Sequence, residues 1–350
     1  MGSVRLAAPE LEEFSRALLA AAGMPEDRAL LVARSLVAAN LRGVDSHGVQ
    51  LLAHYLPHLE AGFLNLSTDG HVVSETATTM LYDGDNGVGQ WIASMATGHA
   101  IRLAAGAGLG MVTVRNSNHI GMLAFWSQRM VERGQIGLVF TNATPLVAPW
   151  QGRERKLSTN PICMAVPGGE RPAWLLDMAT TTVAMGKIMK AVHNGREELP
   201  HGWALDGRGQ PTTSTQEALQ GFLMPLGGYK GYGLAMMVEI LCSVLSGSGR
   251  VGGEVGDPRQ GLGPVGYSQC FLAIDVSRFL PVAEFGRRMD HLIGMMKSAA
   301  PAEGCDEVLV AGEPEWRAEQ ERRRGGVPVD DGLWSKLAAE AARLGVAVPC

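Results

Sequence analysis

The sequence predicts an α/β protein with helical ends and a strand-bearing middle. Up to about residue 60, apolar residues recur at helical spacing. Between Thr79 and Val276, short runs rich in β-branched and aromatic residues alternate with helical ones. From Pro314 onward the chain is charged and helical again. Such an order implies ends that pack together beside a central sheet, in three parts at 1–75, 76–298 and 299–350.

Pro9 opens the first helix, whose apolar face is Leu11, Phe14, Leu18 and Leu19, and Gly23 stops it. Pro25 restarts the helix with Glu26 and Asp27 in its first turn, where negative charge suits the positive helix end. That helix carries Leu30, Leu31, Val37 and Ala38 and ends near Arg42-Gly43. After Asp45-Ser46, the spacing of Val49, Leu52, Leu56 and Leu59 predicts a third helix closed by Gly62. The first sixty or so residues are thus expected to be helical. Strands are expected at Thr79–Tyr82, Met111–Arg115, Ile136–Thr141, Ile162–Val166, Trp174–Met178 and Gln269–Val276. Helices fall at Gln90–Ala105, Leu123–Arg133, Val183–Val192, Leu234–Ser246 and Glu284–Ser298, then at Trp316–Arg324 and Asp331–Leu344. No internal repeat is visible.

With 350 residues the chain can bury a core without disulfide or metal staples. Its 30 Lys+Arg against 35 Asp+Glu give a charge of −5, and the basic residues are scattered, so no field for nucleic acid exists. Five cysteines (Cys163, Cys242, Cys270, Cys305 and Cys350) without a CxxC pair read as reduced, mostly buried thiols. No signal peptide is evident, and the longest apolar stretch, Leu234–Leu245, holds Glu239 and is too short to span a bilayer. A soluble cytoplasmic protein with no membrane partner is expected. The outlier is glycine, with 45 residues, about twice its ordinary share.

Three glycine clusters invite comparison with phosphate cradles. Gly106-Ala-Gly108-Leu-Gly110 follows a helix and precedes a strand, the reverse of the dinucleotide-loop order, so it reads as a turn. Gly84-Asp-Asn-Gly87-Val-Gly89 has the order but not the spacing, and reads as a turn and helix cap. Gly227-Gly228-Tyr229-Lys230-Gly231-Tyr232-Gly233 leads straight into a helix. There backbone amides, a helix dipole and the Lys230 charge together suit an anion, although the P-loop spacing is absent. Lys230 stands out because the chain has only six lysines. A second candidate is Asp177-Met178-Ala179-Thr180-Thr181-Thr182, a strand end rich in hydroxyls. It can cap its own helix or hold a ribose or pyrophosphate, and the residues alone leave both open.

For proton chemistry the sequence offers His47, in Asp45-Ser46-His47-Gly48 at an expected helix start. The positive helix end would hold its pKa near or below about 6.5, which suits a group that both gives and takes a proton. His119, in Asn116-Ser117-Asn118-His119-Ile120-Gly121, follows a strand, where α/β proteins place ligands. His54 and His58 lie farther along the same helix, but Pro57 and the lack of an HExxH pattern argue against a metal site.

These motifs, taken in order, carry a resemblance. They are Asp45-Ser46-His47-Gly48, Asn116-x-x-His119-x-Gly121, Ser158-Thr159-Asn160-Pro161, Asp177-x-Ala179-Thr180-Thr181, Gly186-Lys187 and Gly228-x-Lys230-Gly231. Between the last two lies Pro200-His-Gly-Trp-Ala-Leu-Asp206-Gly, followed by Pro211-Thr-Thr. From about residue 5 to 313 the chain resembles the malate/L-lactate dehydrogenase family, with its ureidoglycolate, L-sulfolactate, 2,3-diketo-L-gulonate and cyclic ketimine branches. The resemblance implies a non-Rossmann NAD(P)-binding fold with a large mixed sheet, in a homodimer. It implies NAD or NADP as cofactor, no metal, and hydride transfer to or from a small 2-oxo or 2-hydroxy acid or a cyclic imine.

By the same resemblance His47 is the proton donor in reduction, Ser46 its hydrogen-bonding partner, and Lys187 a further catalytic residue. Thr159 touches substrate. His119, Ile120, Gly121 and Met122 line the cofactor, His119 being the proton acceptor in some members. Asp177, Met178, Ala179, Thr180, Thr181, Lys230, Gly231, Ala311, Gly312 and Glu313 hold the dinucleotide. One departure stands out: where many members carry a carboxylate-clamping arginine, this chain has Leu51. Arg42, Lys187 or backbone amides are the candidates to replace it. Lys187 points to the hydroxy-acid branch, since cyclic imine reductases can have Asp there. A cyclic ketimine reductase, a cofactor-binding relative without turnover, and more remotely a hydrolase using Ser46 are the competing readings.

Overall fold

The computed structural model describes residues 2–193, 195–257 and 263–349; Cys350 lies outside them. The chain starts with a short strand β1 (Ser3–Leu6), then α1 (Ala8–Ala21), α2 (Glu26–Leu41) and α3 (Leu52–Glu60). The middle begins with β2 (His71–Glu75), β3 (Thr79–Asp83), α4 (Gly89–Ala107), β4 (Leu109–Ser117), α5 (Ala124–Val131) and β5 (Gln135–Thr141). It continues through β6 (Ile162–Val166), β7 (Trp174–Met178), α6 (Met185–His193), β8 (Ala204–Leu205), β9 (Pro211–Thr212), α7 (Thr215–Gln220) and β10 (Phe222–Leu223). Then come α8 (Tyr229–Glu239), β11 (Tyr267–Asp275), α9 (Val282–Lys297), α10 (Glu313–Gly325), β12 (Val327–Asp330) and α11 (Asp331–Leu344).

The expected large mixed sheet has seven strands in the order β2-β3-β4-β11-β5-β6-β7. Only β3 and β4 run parallel, joined by the crossover helix α4. Late-arriving β11 is the central strand, antiparallel to β4 on one side and β5 on the other. Buried on both faces, it reads as a nearly continuous run, Cys270-Phe271-Leu272-Ala273, rather than an alternating one. Helices α4 and α5 cover one face around Ile92, Val112, Trp126, Val139 and Phe271. The other face receives Val238 and Cys242 from α8 and its continuation, against Phe140 and Cys270.

The two chain ends form the flanking helical layer. β1 pairs antiparallel with β12, and α1, α2, α3 and α11 enclose a second core that includes Leu11, Leu18, Leu36, Leu52 and Leu337. A third, smaller core gathers α6, α7 and the β10-β8-β9 ribbon.

Besides the short β8, β9, α7 and β10, which the pattern did not single out, the structure differs from the sequence reading in four places. Strands β1 and β12 interrupt the expected helical ends: each is four residues long and exists only through the other. β2 is exposed along its whole length and shows no alternation to read. The helix expected from Leu234 begins at Tyr229 and passes into a π-turn at Ile240–Val244. Most relevant to function, α3 does not begin behind Asp45-Ser46. Two 3-10 turns, Asp45–His47 and Val49–Leu51, come first, separated by the extended Gly48 (φ −88°, ψ −155°).

Candidate active site

Because His47 lies in an isolated 3-10 turn, no α-helix dipole acts on it, and Asp45 and Ser46 cap nothing. Asp45 is instead gripped from α10: Arg322 Nη1 and Nη2 donate to its two oxygens at 2.6 and 3.1 Å, and Asn40 Nδ2 donates at 2.6 Å. The buried Asn40 also accepts the Val49 amide at 2.8 Å. Gly48 rests directly on that amide; a Cβ there would stand 2.2 Å from Asn40 Oδ1. Only glycine lets the loop close over Asn40, so the Ser46-His47 pair is presented on a fixed base.

Ser46 Oγ lies 2.9 Å from His47 Nδ1. Burial lowers the His47 pKa, the direction expected from sequence but from a different cause. His119, just past β4, stacks on it with ring centroids 5.8 Å apart and planes 21° from parallel. Burial, followed by the His47 and His54 charges, pushes His119 down to about 3. Both rings are half-buried, and His119 lines a cavity together with His54, Tyr55, His58, Gln90 and Asn118. His119 Nδ1 meets Tyr55 Oη at 2.7 Å and the Gly121 amide at 3.3 Å. Gln90 in turn donates to Tyr55 Oη at 3.0 Å.

Three of the candidate ligand segments are laced together by backbone. Thr180 donates its amide and its hydroxyl to Thr159 O at 2.9 and 2.8 Å. Leu226 N donates to Thr180 O, and Thr182 N to Met224 O, both at 2.9 Å. Gly231, in the first turn of α8, closes this arrangement: a Cβ would lie 2.6 Å from Thr180 O and 2.3 Å from Leu226 N. Lys230 beside it is exposed. Thr159 is braced from behind by Asn160, which donates to Ala235 O at 2.8 Å and to buried Glu239 at 3.2 Å. Glu239 also accepts from Ser243, Asn142 and the Gly252 amide.

Asp177, next to last in β7, has one oxygen accepting the Ala124 amide at the start of α5, 2.8 Å away. Its depth pushes the carboxyl up to about 6, against the Ala124 and Leu123 amides and the Arg42 charge, which hold it down. The residue is nevertheless exposed, and surrounding water offsets part of that push. Ala311 accepts the Leu175 amide at 3.3 Å, which sets the 311–313 segment beside β7. The Glu313 carboxylate is held by Lys297 at 2.8 Å and Arg317 at 2.5 Å.

The remaining candidates scatter. Ile120 and Met122 are 1% and 4% exposed and belong to the main core, so their segment offers a ligand His119 and backbone only. Met178 and Ala179 are half-buried beside Asp177, while Thr181 is buried and bonds Val183 O. Leu51 packs on the helical core. Arg42 is buried and donates to Glu319 at 3.2 Å, with its Nε lacking a hydrogen-bond partner. Gly186 abuts Ser46, a Cβ there lying 3.4 Å from Ser46 Cβ, and this sets exposed Lys187 beside the His47 loop. Among the described residues no group of three or more His, Cys, Asp or Glu could hold a metal ion. Nor is any described helix long and apolar enough to cross a membrane. Tyr55, Gln90, Asn40 and Arg322 were not singled out by sequence. A lone Tyr on an amphipathic helix, or an Arg in a charged one, carries no signal of its own.

Residues 6–338 match the profile of a family described as malate/L-lactate dehydrogenase. The chain belongs to that family. The match extends past the expected limit at 313 because α10, which grips the His47 loop, and most of α11 are part of the shared fold. The chain is 38% identical to a malate dehydrogenase of Pyrococcus abyssi over 98% of its own length and 96% of the relative's. It is 36% identical to an L-sulfolactate dehydrogenase of Methanocaldococcus jannaschii, covering 93% and 92% of the two chains. The solved malate dehydrogenase of Entamoeba histolytica superposes with a TM-score of 0.94 at 30% identity, covering 99% of this chain and 100% of the other. As a member of the family, this chain is an oxidoreductase of the hydroxy-acid dehydrogenase class.

Proposed function

We propose that this dehydrogenase interconverts a small 2-hydroxy acid and its 2-oxo acid with NAD or NADP, using His47 as the proton acceptor in oxidation and the donor in reduction. The observation that carries the reading is the Ser46–His47 contact on an anchored loop, stacked against His119 at the wall of a cavity. A serine hydroxyl both donates and accepts, so it can partner Nδ1 whether or not Nδ1 carries a proton. With Nδ1–H donating to Ser46, Nε2 is free to take the substrate hydroxyl proton. In reduction the imidazolium gives that proton back to the carbonyl oxygen. The lowered pKa keeps His47 neutral, and so a base, at neutral pH.

The cradle fits a dinucleotide on two counts. The first turn of α8 adds positive potential and Lys230. Arg42 Nε is a buried donor without a partner. Asp177 to Thr181, Lys230, Gly231 and the backbone of Ala311 to Glu313 would hold it beside His119. When bound, a nicotinamide supplies the two-electron acceptor for oxidation and the donor for reduction.

With Leu51 turned to the core and Arg42 engaged by Glu319, exposed Lys187 beside the His47 loop is the candidate side chain left to meet the substrate carboxylate. Free thiols at Cys163, Cys242 and Cys270 accord with a cytoplasmic setting. The exposed apolar side of α8 (Met236, Met237) and its continuation (Ile240) accords with a homodimer, which light scattering would test.

The decisive experiment is a cofactor-monitored panel of 2-hydroxy acids, 2-oxo acids and cyclic imino acids. Turnover confined to the imino acids would overturn the hydroxy-acid reading, and cofactor binding without any turnover would favour a non-catalytic relative. In Lys187→Ala the KM for the acid should rise about ten- to a hundredfold, the loss of one charge-assisted bond.

A further inference from the structure

We propose that Tyr55 and Gln90 are positioning residues that lock His119 in one tautomer, with Nδ1 bare and the proton on Nε2. His119 then offers the cavity a hydrogen bond and takes no proton from it. The tautomer is independent of the proposed reaction; only the division of labour between the two histidines rests on that reading.

The direction of each bond carries the argument. A backbone amide can only donate, so the Gly121 N–H at 3.3 Å makes Nδ1 an acceptor. Tyr55 Oη, 2.7 Å from the same nitrogen, must then donate as well. Gln90 Nε2 can also only donate, and it reaches Tyr55 Oη at 3.0 Å, which leaves the phenol proton directed at His119. Burial strengthens the phenol's hold on that proton. With two donors facing Nδ1, the ring proton of neutral His119 sits on Nε2, which no described residue hydrogen-bonds.

The chain of donors is also rigid. Gln90 is 2% exposed in the first turn of α4. That turn is pressed against the 118–119 segment so closely that a Cβ on Gly89 would lie 2.1 Å from His119 O. To act as a base in the cavity, His119 would have to move its proton to Nδ1, against the Gly121 amide and the Tyr55 hydroxyl together. His47 meets no such obstacle, because its partner is a hydroxyl able to turn.

The test is nitrogen-15 NMR on the full chain labelled in histidine, without ligand and at neutral pH. The expected His119 signals are pyridine-type for Nδ1 and pyrrole-type for Nε2. The reverse assignment would overturn the proposal whatever the enzyme's substrate proves to be. Gln90→Glu replaces the donor to Tyr55 by an acceptor, so the phenol proton should turn away and the His119 signals shift towards the Nδ1–H form. Tyr55→Phe should move the same signals, and in the active enzyme lower kcat about three- to tenfold with little change in KM, as expected for loss of one hydrogen bond. If both variants fold and neither moves the His119 signals, Tyr55 and Gln90 are not the lock. Should the variants not fold, the wild-type spectrum alone decides the tautomer.

Discussion

Two half-buried imidazoles stack on each other, and the corners that present them are built from different materials. The His47 corner is a short loop tied down by Asn40 from the end of the preceding helix and by Arg322 from far along the chain, and its ring faces a hydroxyl that can rotate. The His119 corner lies just past β4, pressed on a helix start, and its ring faces an amide that cannot rotate. Anchoring the base of His47 while leaving its Nδ1 partner free gives a group that changes protonation state without moving. Fixing every partner of His119 gives one that keeps its state. A pair of stacked histidines therefore need not share a proton role.

The largest expected effect falls on the mobile-proton side. His47→Ala should lower kcat by about 10²- to 10⁴-fold, the usual worth of a general acid–base group, while fluorescence titration shows dinucleotide binding unchanged. His119→Gln keeps an N–H donor and should cost only about three- to tenfold in kcat. If the two substitutions cost the same, the contrast between the corners collapses. Ser46→Ala, which removes the turning hydroxyl, should also cost about three- to tenfold, with the loss read in both reaction directions.

Acid should separate the corners through stability. Both folded pKa values lie below that of a free imidazole, so as pH falls below about 6.5 the unfolded chain binds protons that the folded chain refuses. This contribution to stability is intact above about 6.5 and is lost as pH falls towards the folded values, about 3 for His119. Urea unfolding at about pH 7 and about pH 5 should show a smaller acid loss in His119→Gln than in wild type. An unchanged acid loss would mean that His119 titrates normally. The smallest effect is expected at Arg322→Ala. Its partner Asp45 is 48% exposed, so the stability change should be about 0.5–1 kcal/mol, and kcat should fall more than KM rises as the loop loosens.

The sequence disclosed six of the seven strands of the sheet because they are buried, apolar and bounded by turns; β6 and β7 begin and end where the pattern places them. It disclosed the ligand-facing motifs by residue type alone. It could not show that Thr159, Thr180 and Leu226 share backbone bonds, since those bonds join residues distant in sequence and use no distinctive side chains. The helix expected at Asp45 was displaced for a similar reason. Asn40 takes the Val49 amide, and the chain turns through 3-10 geometry to reach it. Arg322 stands 277 residues from Asp45, beyond the reach of any local pattern.

The position of β11 has a consequence in time as well as in space. During synthesis β2, β3 and β4 emerge together, and β5, β6 and β7 after them. The edges of β4 and β5 that face each other are bridged only when residues 267–275 arrive. Until then the growing chain carries two half-sheets, each with one edge awaiting the same partner, and open edges of this kind invite pairing between chains. Folding of this protein should therefore be most vulnerable to crowding in the interval between making β7 and making β11, and least so once the central strand has closed both edges.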